Sequence, residues 1–384
     1  MKINLRRNLF YLLAFNISWY LRKITDIIIE SLFNAKFHYI YLYLMTFGQM
    51  LGGLSIYLYH YSHLRQKKKA DYFEMDLIYN RKVLEIPDGR FKKSLLIFFA
   101  GFFDFMEFII LTFYVYTFDS DFSPSIDLRF RCLLTIVSSL ICKYALKFKY
   151  SRHHVLSLVV MSLFLCISII LEIVYTSNNM GRFIFSLCLT LFSYICCGYT
   201  DCIEKYLVEV NYENPFKIIM NEGICEFIFS VFYSIGKQPF KEITKTYEDY
   251  SAGEFTLLIF LFFLHLVFSM GVNAYKIYCN AIYSPMAKSL MEYILVPFMN
   301  LHYFYNERDF HNDSIFFLIS EIICLIIDFF GCVYNEYIIL FCCGLEHETK
   351  SEITKRSNNI SNFPEGYTLS EIIENDNISS VNEE

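Results

Sequence analysis

Glutamates at 222 and 226 stand in the middle of NPFKIIMNEGICEFIFSVFYSI, a stretch otherwise apolar enough to cross a membrane. Their i,i+4 spacing puts both on one helix face, about 10 and 16 Å along the helix from Pro215. Asp104 and Glu107, three residues apart in SLLIFFAGFFDFMEFIILTFYVYTF, make a second pair in the same kind of setting. An ionisable side chain at bilayer depth costs at least a few kcal/mol, so it faces a partner or a water-filled cavity. Protonated, such carboxyls hydrogen-bond between helices; ionised, they require a cation, a basic partner or water. Lys143 is the candidate counter-charge. The chemistry on offer is reversible binding of a charged solute, or of protons, between helices.

Further polar positions fall in apolar runs. Lys288 and Glu292 form an i,i+4 pair that reads either as a site for an anionic group or as a self-neutralised pair at the membrane surface. Asp201, Glu204 and Lys205 close one run, and Asn335-Glu336 close another; Glu204-Lys205 and Asn335-Glu336 read as interfacial. Glu321 and Asp328 read as hydrogen-bonding groups inside a bundle. Tyr199, Lys205, Glu292 and Asn335 are secondary site candidates. Trp19, Tyr194 and Tyr199 could stack on a ring, although with 31 Tyr and 41 Phe most aromatics here pack or face lipid.

The elements that must position these residues are long. Of 384 residues, 55% are hydrophobic and only 19% charged, far from the composition of a soluble domain. About 20 apolar residues cross a bilayer, and ten such spans are expected: 8–29, 38–60, 94–118, 131–147, 154–176, 182–201, 215–236, 255–278, 281–304 and 314–342. Lys and Arg concentrate before the first span, in the 63–92 loop, around Lys147–Arg152 and after the last span, while the 119–127 loop has none. The positive-inside rule then places both termini in the cytosol, which requires an even number of spans.

The formal charge of −6 resides in the 346–384 tail, whose polar, acidic composition predicts disorder. The remainder is close to neutral, with no basic surface for nucleic acid. Lys67–Lys69 is a candidate contact for anionic lipid. The 13 cysteines lie mostly in apolar runs and read as packing residues; Cys342-Cys343, at a helix end, is a candidate for S-palmitoylation. Asn312-Asp313-Ser314 is a glycosylation sequon beside the last span, and the sequons at Asn359 and Asn377 fall in the cytosolic tail. Gly48-x-x-x-Gly52 permits close helix approach, and Gly223 lets a backbone come near the carboxylate pair. Pro285 and Pro297 bracket the ninth span, whose start is unusually polar.

Ten spans dividing as five plus five point to an inverted repeat, with a first unit at 1–176, a second at 182–345 and a tail at 346–384. Tyr199-Thr200-Asp201-Cys202-Ile203-Glu204-Lys205-Tyr206-Leu207, Asn214-Pro215-Phe216 followed by Glu222-Gly223, Ser284-Pro285-Met286-Ala287-Lys288-Ser289-Leu290 and Gly331-Cys332-Val333-Tyr334-Asn335-Glu336 resemble motifs of the drug/metabolite transporter superfamily, in its nucleotide-sugar-transporter-like and EamA-like branch. The resemblance covers about residues 185–345; the first half matches by topology alone, and the Gly-x-Asn-Lys signature of guanosine-sugar carriers is missing. It implies spans one to four and six to nine around a central cavity, spans five and ten at the periphery as homodimer contacts, and alternating access to a small-molecule substrate. The cavity groups would be Asp104, Glu107, Lys143, Glu222, Glu226 and Lys288, in the plasma membrane or an endomembrane.

Other functions fit less well. His60, His63, His153 and His154 sit at the edges of apolar runs and do not form the intramembrane clusters of a metal-dependent enzyme. No Ser/His/Asp arrangement is legible. No catalysis, metal or cofactor is therefore expected. A receptor or channel of seven spans, or a trafficking scaffold, is distinguished by the span count.

Overall fold

The computed structural model describes residues 5–33, 37–66, 90–111, 130–145, 150–175, 180–209, 213–235, 251–282, 285–294, 296–297 and 314–340. Among them every regular element is a helix: α1 (Leu5–Phe33), α2 (His38–Gln66), α3 (Arg90–Ile109), α4 (Cys132–Ala145), α5 (Arg152–Tyr175), α6 (Met180–Glu209), α7 (Pro215–Ser234), α8 (Ala252–Ile282), α9 (Pro285–Ile294) and α10 (Ser314–Tyr334). Each falls on one of the ten apolar runs. The ends differ from expectation: α6 runs on to Glu209, past the expected 201, and α10 stops at Tyr334, where 342 was expected. The ninth run, expected helical from 281, begins as α9 at Pro285; a proline at a helix's first turn gives up only an N–H that has no partner there. The basic loop at 67–89, Asn312, Cys342-Cys343 and the tail lie outside the described residues.

Among the described residues, three helical segments are long and apolar enough to cross a bilayer: Arg152–Val174, Met180–Val208 and Ala252–Ile277. The described part is all-helical, and these segments mark a membrane protein. On α5, Val155, Val159, Leu163, Ile167, Ile170 and Val174 are all exposed, at steps of three and four residues. In water that stripe would be a large uncompensated apolar face; against lipid it costs nothing. By contrast, α1 carries Arg22, Lys23, Asp26 and Glu30, and α7 carries Lys217, Glu222 and Glu226.

Glycine sets how closely the central helices meet. α2 packs between α7 and α8, α1 packs on α8, and α3 packs on α6 and α7. A Cβ added at Gly52 would lie 2.7 Å from the Met270 carbonyl oxygen, and one at Gly48 2.8 Å from Ser269 Cβ. The Gly48-x-x-x-Gly52 stripe is thus the contact of α2 with α8. At Gly223 a Cβ would come within 2.5 Å of the Met50 nitrogen, and at Gly101 within 3.0 Å of the Glu222 carbonyl oxygen. The turn of α7 that holds Glu222 is therefore clasped between α2 and α3. α5 and α10 pack on each other away from this centre.

Two helix ends are fixed by specific bonds. Asn214 caps α7, its Oδ1 accepting the Phe216 N–H at 2.9 Å. Beside it, burial alone would push the Glu213 carboxyl up, but Lys217 at 2.5 Å and Lys93 at 3.4 Å outweigh this and hold it below the usual range. At the other, α10 ends with Glu336 at φ 59° and the Tyr337 N–H bonded to the Cys332 carbonyl at 2.9 Å. Glycine usually fills that left-handed position; here Glu336 Oε1 lies 3.4 Å from His153 Nε2 and ties α10 to the start of α5.

Candidate functional site

A cavity of about 230 Å³ lies between α1, α2, α3, α7, α8 and α9. It runs from Glu30 and His38, where Glu30 is exposed, inward to Gln49, Asp104, Glu226 and Lys276. Phe15, Trp19, Phe105 and Phe108 give it an aromatic wall. Near its mouth, His265 Nδ1 sits 2.6 Å from Asp26 Oδ1, and Tyr41 stacks on the imidazole at 5.2 Å between ring centroids. Farther in, the Arg131 guanidinium holds Glu292 at 2.6 Å and lies 5.8 Å above the Trp19 ring.

The inner end is closed by ion pairs. Lys288 Nζ lies 3.0 Å from both carboxylate oxygens of Asp201 and 3.4 Å from Glu292. Lys276 bridges Asp104 at 3.4 Å and Glu204 at 3.6 Å. Asn280 donates to Glu204 Oε2 at 2.7 Å and to the Asp201 backbone carbonyl at 2.9 Å. Gln49 donates to Glu226 Oε1 at 2.7 Å. Asp201, Glu204 and Asn280 are fully buried. This network joins α2, α3, α6, α7, α8 and α9 across the floor of the cavity.

The residues singled out from sequence divide accordingly. Asp104, Glu107, Glu226, Lys288 and Glu292 all line the cavity. Glu222, one turn before Glu226, sits beneath it, fully buried, with neither carboxyl oxygen hydrogen-bonded to a donor; its neighbours there are Glu204, Lys276 and Asp104. Trp19 is part of the wall.

Others are corrected. Lys143 is no counter-charge for the carboxylates: it is exposed at the end of α4, its ammonium 5.1 Å from the Tyr150 ring. Tyr199 is 43% exposed and stacks on Phe103, and Tyr194 is buried in a separate cluster with Leu134 and Cys197. Lys205 is buried on α6 and lines no part of the cavity. Asn335 bonds the Gly331 carbonyl at the end of α10. The reading of Lys288 and Glu292 as a surface pair fails because both are buried, and Glu204 is internal and not interfacial.

Sequence reasoning missed Lys276, the chief partner of Asp104. One signal was present: it is the sole lysine in the apolar α8, where an isolated charge needs an intramembrane reason. Arg131 stands at a run edge, and Asp201, noted at the close of its run, was not singled out as a site residue. A separate group, His153, His154 and Glu336, has its polar atoms within 4.8 Å of one another. His154 Nδ1 already accepts the Ser151 N–H at 3.2 Å, which leaves its other nitrogen protonated in the neutral ring. As arranged, the group latches α5 to α10. No family model matches this chain, and no curated protein matches it.

Proposed function

We propose that this protein is a secondary transporter or exchanger of a small metabolite, moving it by alternating access through the central cavity. The observation that carries the reading is a polar cavity open at the Glu30 end and closed at the other by a buried ion-pair network. A membrane protein has little other use for so many desolvated charges at one depth. The Lys/Arg distribution makes the Glu30 end non-cytosolic, so this conformation is the outward- or lumen-facing one.

Helix packing supports an inverted repeat of five helices. Exchanging each helix with the one five later turns α1–α8 into α6–α3, α2–α8 into α7–α3, α4–α6 into α9–α1 and α4–α5 into α9–α10, and all of these pairs pack. The pairs α2–α7, α4–α9 and α5–α10 map onto themselves and pack too. The exchange breaks down at the cavity. α6–α8, α6–α9, α7–α8 and α8–α9 pack, whereas their counterparts α1–α3, α1–α4, α2–α3 and α3–α4 do not pack comparably among the described residues. One set of pairs closes the inner end, and its mirror set stands apart at the mouth. Swapping the two packings gives the opposite-facing state, as repeat-based transporters require.

The test is solute uptake and counterflow in proteoliposomes of the full chain, over a panel of amines, amino acids, organic acids and nucleotides. Saturable uptake stimulated by the same solute on the far side is expected. A solute that binds but never crosses would instead make the protein a receptor.

A further inference from the structure

The charges around the cavity do not balance. Lys276, Lys288 and Arg131 are each already held by carboxylates, among them Asp104, Asp201, Glu204 and Glu292. Arg22 and Lys23, nearer the mouth, have Asp26 as their neighbour. Arg22 makes no close ion pair among the described residues, and the carboxylates that act on it are Asp26, Glu292 and Glu107. The wall still carries more carboxylates than basic groups, Asp26, Glu30, Asp104, Glu107, Glu226 and Glu292 against Arg22, Lys23, Arg131, Lys276 and Lys288. Glu107 lines the cavity and, among the described residues, makes no hydrogen bond or close ion pair, although Arg131, Lys288 and Lys276 act on it at longer range. Glu226 has the Gln49 amide at 2.7 Å and no cation within ion-pair distance. A desolvated carboxylate left without a positive partner is costly, so each of these groups takes up a proton, as in the contact of Glu226 with the Asp104 carboxyl, or a cation that enters the cavity.

An unpartnered polar atom stands in the same wall. His265 Nδ1 lies 2.6 Å from Asp26 Oδ1, and its Nε2, on a residue only 1% exposed, has no hydrogen-bond partner among the described residues. A bare divalent cation is bound by oxygens on all sides, and part of this wall is aromatic. Phe105, Phe108 and Trp19 offer ring faces instead, and these attract organic cations and their hydrocarbon. About 230 Å³ has room for on the order of ten non-hydrogen atoms.

We propose that the cavity binds a small organic cation with N–H groups, an alkylamine or guanidine, whose charge sits at Glu107 and Glu226 and whose hydrocarbon lies on the aromatic wall. The assignment rests on the transporter reading only for its consequence; binding itself is testable without transport.

The test is thermal stabilisation of the purified full chain at neutral pH by phenethylamine and agmatine, against the near-isosteric acid phenylpropionate. A ligand that binds only the folded state raises the melting temperature. Both amines are expected to stabilise and the acid not. Glu107→Gln is expected to weaken amine binding at least tenfold while its ligand-free melting temperature stays at or above wild type, since Glu107 has no hydrogen bond to lose. Glu226→Gln, which keeps a partner for Gln49, is expected to weaken binding likewise. Stabilisation by phenylpropionate, or amine effects unchanged in both variants, would overturn the proposal. So would inert amines together with a wild type that is stabilised only by acidification, because the carboxyls would then be carrying protons. In each case solute flux in proteoliposomes stands apart: flux of an acid would end the cation assignment and keep the transporter, and no flux with amine binding would do the reverse.

Discussion

Asp201 and Lys288 are the residues on which the closed end depends. Removing one partner of a buried ion pair leaves an uncompensated charge and costs about 3–5 kcal/mol. Lys288→Met is therefore expected to lower the melting temperature sharply, because the Asp201 carboxylate loses its two 3.0 Å contacts. The double variant with Asp201→Leu should recover part of that loss, since neither charge then remains buried. A single-variant cost under about 1 kcal/mol would mean that water reaches the pair. Lys143→Ala is the contrasting case: an exposed side chain with only ring contacts should change stability by less than about 0.5 kcal/mol and leave solute binding intact. The sequence marks Lys143 and Lys288 alike as lysines in apolar runs; only their surroundings separate them.

Close backbone approach carries the central helices. Gly223→Ala puts a methyl 2.5 Å from the Met50 nitrogen, an atom that cannot move without parting α2 from α7, so a loss of about 1–3 kcal/mol is expected in thermal or denaturant unfolding. Gly253→Ala is the control, with nothing within 4 Å of the added carbon, and should cost nothing. The junction of α6 and α7 adds a pH dependence. Lys217 and Lys93 hold the Glu213 carboxyl below its ordinary range despite its burial. Its folded value thus lies under its unfolded one of about 4.3, and the pair stabilises fully above that pH. The contribution, roughly 0.5–1 kcal/mol, disappears as pH falls through the folded value. Comparing Glu213→Gln with wild type at neutral pH and near pH 3 measures it: a difference at neutral pH that shrinks in acid.

At the scale of the whole molecule, the transporter reading predicts two reciprocal distances. Spin labels joining the Glu30 end of α1 to the Leu111 end of α3 should approach when substrate is bound. Labels joining α6 near Tyr206 to α8 near Tyr275 should separate in the same step, and motion of one pair without the other would refute repeat exchange. Much of this was legible in sequence. Ten apolar runs became ten helices because apolar length and helical hydrogen bonding are properties of each segment. The deep carboxylates Asp104, Glu107 and Glu226 were legible too, because the cost of placing a charge in hydrocarbon holds whatever the fold. Which charge answers which was undetermined, since Lys276 meets Asp104 across 172 residues and Arg131 meets Glu292 across 161. Composition along the chain decides that a segment is buried in a membrane; only the packing of α2, α3, α6, α7, α8 and α9 decides whether a buried charge faces lipid, a partner or a cavity, because that depends on what stands within 4 Å in space.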